Sequence, residues 1–459
     1  MIPMTLAEIA AVTGGEVVNA AGDVTVTGGV EYDSRKVGPG GLFVAFAGEK
    51  ADGHDFAAGV VAAGAAGVLA TRDVGVPSVL VSDQLAALAA LARHVTKNLD
   101  KLTVVGLTGS SGKTTTKDYI GQLLSRLGPT VAPAGSLNNE LGFPYTVLQA
   151  SAETRFLVLE MGARGIGHIR YLTEIARPKI GVVLNVGAAH IGEFGSVEGT
   201  AQAKGELVES LPADGVAILN ADDPLVAGMA SRTVAPVVLT GEASSAAVSA
   251  SDVVLDDAGR ASYVLRSAEK SGHVRLAVAG RHQVANTLAA AAVALHAGMD
   301  FDAVVAALGS VGVVSGRRMD VFDRQDGVRV VDDSYNANPS SMSAALRALA
   351  SMGSGRRTTA VLGYMAELGE YEISGHSEVG ELAASLGIDR LIVVGANARP
   401  ILDGAAAVAD RFFAADQAEA IAILEKDLRA DDVVLVKGSR YRTWDVADWL
   451  RRSEEVQPK

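Results

Sequence analysis

The run Thr108-Gly109-Ser110-Ser111-Gly112-Lys113-Thr114-Thr115-Thr116-Lys117-Asp118 carries the clearest chemistry in this chain. Its glycines allow a tight turn whose backbone N–H groups face an anion. A helix opening there adds partial positive charge. Lys113 is placed to reach the outer phosphates of a nucleotide, and the Thr114 hydroxyl to ligate Mg²⁺. Gly109, Ser110, Ser111, Gly112, Lys113, Thr114 and Thr115 therefore form a candidate ATP site. The spacing is shorter than that of the usual P-loop, because two residues rather than four separate Gly109 from Gly112. A glycine turn with an exposed lysine is the alternative, but strand, turn and helix signals agree around the motif.

The elements around it follow from pattern. Residues 102–107 form a β-branched apolar run that reads as a buried strand, and Ile120, Leu123, Leu124 and Leu127 recur at helical spacing before Gly128-Pro129. Further strands at 156–159 and 180–184 alternate with helices, the pattern of a mostly parallel sheet covered on both faces. Ligands sit at the carboxyl ends of strands in such sheets. Glu160 leaves the first of these strands and is a candidate Mg²⁺ ligand; the second delivers Asn185 and His190 to the same edge. A histidine after a strand is commonly a satisfied structural residue, and Lys204 alone reads as a surface lysine. Both acquire a role only if they share the edge with Lys113, Thr114 and Glu160. Asn286 opens an Ala-rich helix and can read an adenine edge.

After Ser315-Gly316-Arg317-Arg318 comes a third alternating segment. Strands at 328–331, 358–362, 391–394 and 433–436 each end in polar or glycine residues, describing a second doubly wound unit without a phosphate loop. At the N-terminus, Thr5-Leu6-Ala7-Glu8 is a capping-box pattern before a short helix. Ser34 and Arg35, beside a glycine-rich turn, can hold a diphosphate or a uracil edge, though such a loop is often only solvated. Domain limits of 1–100, 101–314 and 315–459 follow from these breaks.

Composition narrows the partners. The 459 residues carry a net charge of −13, which argues against a nucleic-acid surface, and contain no cysteine, which fits a reducing compartment. No signal-peptide pattern opens the chain. Its longest uncharged apolar stretch, 56–70, is too short and too rich in Ala and Gly to span a bilayer. A cytoplasmic protein without stable membrane insertion is the expectation.

Several motifs, taken in chain order, resemble one family, the Mur ligases, which form amides at the expense of ATP in peptidoglycan precursor synthesis. They are the shortened loop, Glu160-Met161-Gly162-Ala163, His190, Ala203-Lys204-Gly205-Glu206, 280–286, Asp332-Asp333-Ser334-Tyr335-Asn336-Ala337-Asn338-Pro339 and Lys437-Gly438-Ser439-Arg440. Asp33-Ser34-Arg35-Lys36 followed by Gly48 and His54-Asp55-Phe56 extends the likeness to the N-terminus. The resemblance implies three domains: a small α/β domain for a UDP-linked substrate, a central P-loop domain with a mostly parallel sheet, and a Rossmann-like C-terminal domain. It implies a monomer that joins D-alanyl-D-alanine to a UDP-N-acetylmuramoyl-tripeptide through an acyl phosphate. Other ligases of the superfamily, folylpolyglutamate synthases among them, and a plain P-loop NTPase are the alternative readings.

The resemblance also assigns residues. Lys113, Glu160, His190 and Lys204 would be catalytic, with Thr114, Glu160, His190 and Lys204 serving two Mg²⁺ ions. Lysine offers only donors, so Lys204 would ligate as a carbamate, which requires a desolvated neutral amine. Asn286, Arg318, Asp333 and Asn336 would contact ATP; Arg318 is favoured over Arg317 because it precedes Met319. Substrate would meet Ser34, Arg35, Gly48, His54, Asp55, Asn138, Asn139, Tyr335, Asn338 and Lys437. Leu362-Gly363-Tyr364-Met365 departs from the family's Leu-Gly-Asp-Met, and Gln283 stands where asparagine is common. An ATP site shared by two domains implies closure, with these groups apart in a nucleotide-free form.

Overall fold

Three larger sheets and a two-stranded one, Met4–Thr5 with Thr25–Val26, divide the chain, and the computed structural model describes residues 1–187, 194–439 and 441–452 of it. The first sheet has five strands, in the order Glu16–Val18, Ser78–Leu80, Gly67–Ala70, Leu42–Val44 and Val30–Glu31. All are parallel except Glu16–Val18, which runs antiparallel to its neighbour. Its opening helix, Leu6–Thr13, has the expected capping box between Thr5 and Glu8, and Gly14 closes it in the left-handed region at φ 68°.

The central sheet has nine strands. Thr103–Thr108 lies between Phe156–Glu160 and Ile180–Val183, with Thr130–Val131 outside the former. Val216–Asn220 and Val237–Gly241 continue the parallel series. Strands such as Phe156-Leu157-Val158-Leu159 are buried on both faces, as parallel strands under helices must be. An antiparallel extension, Val248–Leu255, Arg260–Ser267 and Lys270–Ala279, completes the sheet. One apolar cluster runs from Met4 and Leu6 through Leu91 and Val95 to Phe143, Ile169 and Leu172, so the helix Gln84–Lys97 cements the first sheet to the second.

The third sheet has six strands, in the order Asp320–Asp323, Arg329–Asp332, Val433–Lys437, Thr358–Leu362, Arg390–Val394 and Asp410–Ala414. Only the first pair is antiparallel. The mixed α/β class and mostly parallel sheets match the reading of the sequence. The outer strands Asp320–Asp323 and Asp410–Ala414 and the central antiparallel extension lie beyond it.

The connection into the third domain is pinned at its start. The Ser315 N–H donates to Asp118 Oδ2 (2.9 Å) and its hydroxyl accepts from the Gly135 N–H (2.9 Å). Arg317 and Met319 then adopt positive φ of 61° and 51°, turning the chain sharply.

Candidate active site

The helix after the glycine turn, Lys113–Leu124, has no side-chain cap at its N-terminus. Its first N–H groups are therefore open to an anion. Gly112 holds φ +80°, and a Cβ there would lie 2.6 Å from Asn286 Oδ1, so both backbone and space demand glycine. The loop is clamped to the next strand end. Asn185 Oδ1 accepts from the Ser111 N–H (2.9 Å), its carbonyl accepts from the Ser110 N–H (3.1 Å), and the Gly187 N–H donates to Ser110 Oγ (2.8 Å).

Glu160 is the organising carboxylate. It accepts from Thr114 Oγ1 (2.7 Å), Ser136 Oγ (2.7 Å) and Asn138 Nδ2 (2.6 Å), and is itself buried. The register explains the meeting: Glu160 pairs with Leu107 and Val183 with Thr108, so three strand ends align at one edge. A hydroxyl and a carboxylate this close are the hard oxygen donors that suit Mg²⁺, which keeps several waters and needs few protein ligands. His190 lies outside the described residues. Among those described, no group of three or more His, Asp or Glu side chains converges.

Two amines line the same cavity as this carboxylate, Lys113 half-buried and Lys204 fully buried. Lys113 curls back to donate to the Gly109 carbonyl (2.6 Å). Burial lowers its pKa, with nearby Arg318 adding to the effect and Glu160 opposing it. Lys204, on the helix Val197–Glu209, is 3% exposed. Its pKa falls well below the usual lysine value, first through burial and then through Lys113. Its ammonium has no hydrogen bond or ion pair to a described residue. This is a desolvated amine, not the surface lysine its sequence context suggested.

The third domain closes over the loop. A cavity of about 650 Å³ is lined by Lys113, Thr114, Glu160 and Lys204 from one side and by Arg318, Asp333, Asn336 and Asn338 from the other. Asn338 caps the helix Pro339–Met352 and extends Nδ2 to the Ser110 carbonyl (3.4 Å). The pinned Ser315 and the Asn338 contact hold the two domains together.

The doubled arginine separates cleanly. Arg317 pairs with Asp448 (3.0 Å) and lies over the Trp444 ring, facing the C-terminal helix. Arg318 stacks its guanidinium 4.2 Å from the Tyr335 ring centroid, and its buried Nε has no hydrogen-bond partner. Asp333 accepts from the Met319 N–H (3.0 Å) and ion-pairs with Lys437 Nζ (2.6 Å), which also donates to the Asn336 carbonyl (2.9 Å). Lys437 thus shapes the Asp333–Asn336 loop with its ammonium already engaged. Asn286 donates to Gln283 Oε1 (2.9 Å), which also accepts from Tyr119 (3.1 Å), so this pair braces the phosphate turn.

The N-terminal candidates stand apart from this cavity. Arg35 is exposed and bonds Asp33 through two nitrogens (2.8 Å each). Both His54 ring nitrogens are engaged: Nδ1 with Asp52 (2.6 Å) and Nε2 with the Thr71 N–H (3.2 Å), tying the 46–54 loop to the sheet. Ser34, Gly48 and Asp55 share these loops, and Asn139 lines the cavity. Tyr364 donates to Glu372 (2.8 Å) and stacks on His376.

Sequence reasoning placed Asn185 at the edge without giving it a role and missed Ser136, His282, Arg164 and His168; all five line the cavity. Asn185 and His282 had a usable signal, one ending a strand and the other preceding a helix. His282 is buried, which lowers its pKa, with Asp333 opposing and Lys437 adding.

Comparison with known proteins agrees with this geometry. Family profiles match in chain order: Mur ligase family, catalytic domain, over residues 27–96; Mur ligase middle domain over 107–294; and Mur ligase, glutamate ligase domain, over 317–440. A UDP-N-acetylmuramoyl-tripeptide--D-alanyl-D-alanine ligase of Mycobacterium tuberculosis is 48% identical over 96% of each chain. The chain belongs to the Mur ligase family. The Escherichia coli ligase of the same name is 38% identical over 96% of each chain. A crystal structure of MurF from Acinetobacter baumannii superposes with a TM-score of 0.87 at 32% identity, covering 98% of this chain and 99% of that one. MurF ligase from Thermotoga maritima, solved in complex with ADP, gives 0.80 at 30% identity over 94% and 98%.

Proposed function

We propose that this Mur ligase adds D-alanyl-D-alanine to UDP-N-acetylmuramoyl-tripeptide, with ATP converting the peptide's terminal carboxylate to an acyl phosphate that the amine then displaces. The full-length similarity to ligases of that name supports the substrates. The observation that carries the chemistry is the Thr114–Glu160 contact at an uncapped helix N-terminus, beside the buried amine of Lys204.

The open N–H groups of the helix and Lys113 would hold the β- and γ-phosphates, while Arg318 and Asn338 would approach from the third domain. Positioning and charge neutralisation are the main requirements of phosphoryl transfer. Thr114 and Glu160 would hold Mg²⁺, with His190 and Lys204 serving a second ion. Bound Mg²⁺ neutralises charge on the phosphates and on the attacking carboxylate. Lys204 gains an oxygen ligand if its neutral amine adds CO₂, forming the N–C bond of a carbamate and releasing one proton. Burial lowers the pKa of that amine well below the usual lysine value, which favours its neutral, nucleophilic form.

Ser34, Arg35, Gly48, His54 and Asp55 would serve the UDP end on domain 1–100. Domains 101–314 and 315–459 would share ATP, with Tyr335 and Lys437 shaping the amine side. No helix among the described residues is long and apolar enough to cross a membrane, in keeping with a monomer working in the cytoplasm.

The test is a phosphate-release assay with each substrate omitted in turn. Release only with ATP, UDP-tripeptide and D-alanyl-D-alanine together is expected. Hydrolysis that ignores the amine would replace this reading with an NTPase.

A further inference from the structure

Next to Glu160 the cavity wall carries a group of charged side chains that the phosphate chemistry does not use. Asn138 donates to Glu160, and two residues on, Glu140 Oε1 lies 3.0 Å from His168 Nε2. His168 Nδ1 accepts from the Arg164 N–H (3.2 Å), so in the neutral ring the proton sits on Nε2, toward Glu140. The contact is close but too poorly aligned for a hydrogen bond, leaving that buried ring nitrogen without an acceptor. Arg164 itself is exposed at the cavity, and no described carboxylate pairs with its guanidinium. Most of the chain's other arginines near a carboxylate are paired, as Arg35, Arg232 and Arg281 are. Glu206 accounts for the remaining local carboxylate. It accepts from the Gly167 and Arg170 N–H groups and caps the helix His168–Ile175.

We propose that Arg164, with the Glu140–His168 pair, is the subsite for the side chain of the substrate's third residue, and that it selects a side chain ending in both a carboxylate and an amine over one ending in an amine alone. The proposal rests on the ligase reading above. The peptide's reacting carboxylate must reach the phosphate held at Thr114 and Glu160. The side chain of that same residue then extends toward the wall that Asn138, Arg164 and His168 line, with Glu140 in contact with His168. A diaminopimelate side chain ends in a carboxylate that the free guanidinium can take through two parallel hydrogen bonds, and in an amine that Glu140 can accept. A lysine side chain offers Glu140 its amine but leaves Arg164 without a partner, beside a second cation.

The experiment measures kcat and KM for two UDP-muramoyl tripeptides, one ending in diaminopimelate and one in lysine, with the full-length enzyme, ATP and D-alanyl-D-alanine. The wild type should prefer the diaminopimelate peptide by at least about tenfold in kcat/KM, the scale of one charge-assisted pair. Arg164→Gln should raise KM for that peptide by a similar factor with kcat nearly unchanged, leave KM for the lysine peptide unchanged or lower, and so erase the preference. Arg164→Lys should restore part of it. Equal use of both peptides by the wild type, a preference for lysine, or a loss in Arg164→Gln that falls equally on both would overturn the subsite while leaving the ligase reading intact. Absence of amine-dependent turnover on either peptide would overturn both.

Discussion

Replacing Lys204 with methionine should make the protein more stable and nearly inactive. Lys204 is 3% exposed, on a helix interior, with no partner for its ammonium among the described residues. A buried polar group left unsatisfied costs ~1–3 kcal/mol. Methionine matches its length and fills the same space without that cost. The gain should therefore be ~1–3 kcal/mol, or roughly 2–10 °C in the midpoint of the central domain. Its pH dependence has a definite sign. The folded-state pKa of Lys204 lies below the ordinary 10.5, so the unfolded chain binds the extra proton in between, and the wild type is penalised most at low pH. The advantage of the variant should be largest below the folded pKa and shrink as pH rises toward 10.5. Turnover should fall ~10³-fold, about 4 kcal/mol, through loss of the oxygen ligand that the carbamate supplies. Urea melts across pH, phosphate release and ¹³C spectra in labelled bicarbonate read the three effects. A destabilised Lys204→Met that retains activity within tenfold of wild type would refute both the burial argument and the carbamate.

Gly205→Ala should destabilise, although alanine normally favours a helix interior by ~1 kcal/mol over glycine. The new methyl would lie 1.9 Å from the Arg232 guanidinium, which bonds the Ala201 and Gln202 carbonyls and Glu209. A loss of ~1–3 kcal/mol is expected in thermal melts, and in the Arg232→Ala background the same change should become neutral or stabilising. Arg318→Ala should raise the KM for ATP by about tenfold or more, whereas Arg317→Ala should leave that KM unchanged and weaken only the Asp448 and Trp444 contacts. Acid should weaken the third domain through His376, which is fully buried with both nitrogens engaged. Burial lowers its pKa below 6.5, so the unfolded chain takes up a proton first and stability falls as pH drops beneath that value. His376→Gln should flatten this slope in denaturant titrations.

Legibility in the sequence followed the range of the interactions. The phosphate turn, its flanking strand and helix, and the Thr5–Glu8 capping box are local, and each was readable from a few neighbouring residues. Fully buried strands such as Phe156-Leu157-Val158-Leu159 announce themselves by composition. The antiparallel extension 248–279 does not, because its strands alternate buried and exposed positions among charged residues and lie at the margin of the sheet. Lys204 shows the limit best. Its neighbours Ala203 and Gly205 are compatible with either face of a helix. Its burial comes from the packing of its helix on the strands Thr103–Thr108 and Ile180–Val183. The same holds for His168, whose contact with Glu140 is set by tertiary structure. The contacts that Ser315 and Asn338 make between the second and third domains are likewise invisible in a linear pattern.

The site also resolves a tension in the composition. A chain of net charge −13 repels polyanions at long range, yet the proposed substrates, ATP and a UDP-linked peptide, are polyanions. Screening confines that repulsion to about 8 Å in physiological salt. Within that distance the balance changes: Lys113, Lys204 and Arg318 line the cavity, while of its carboxylates Glu160 is already taken by three donors and Asp333 by Lys437. Each cation depresses the next, Arg318 acting on Lys113 and Lys113 on Lys204. An arriving phosphate relieves that strain, so its binding is strongest where the protein alone is least satisfied. Lys113 and Lys204 differ in the outcome. Burial lowers the pKa of both, more strongly that of the fully buried Lys204, which favours the neutral amine whose lone pair the carbamate needs.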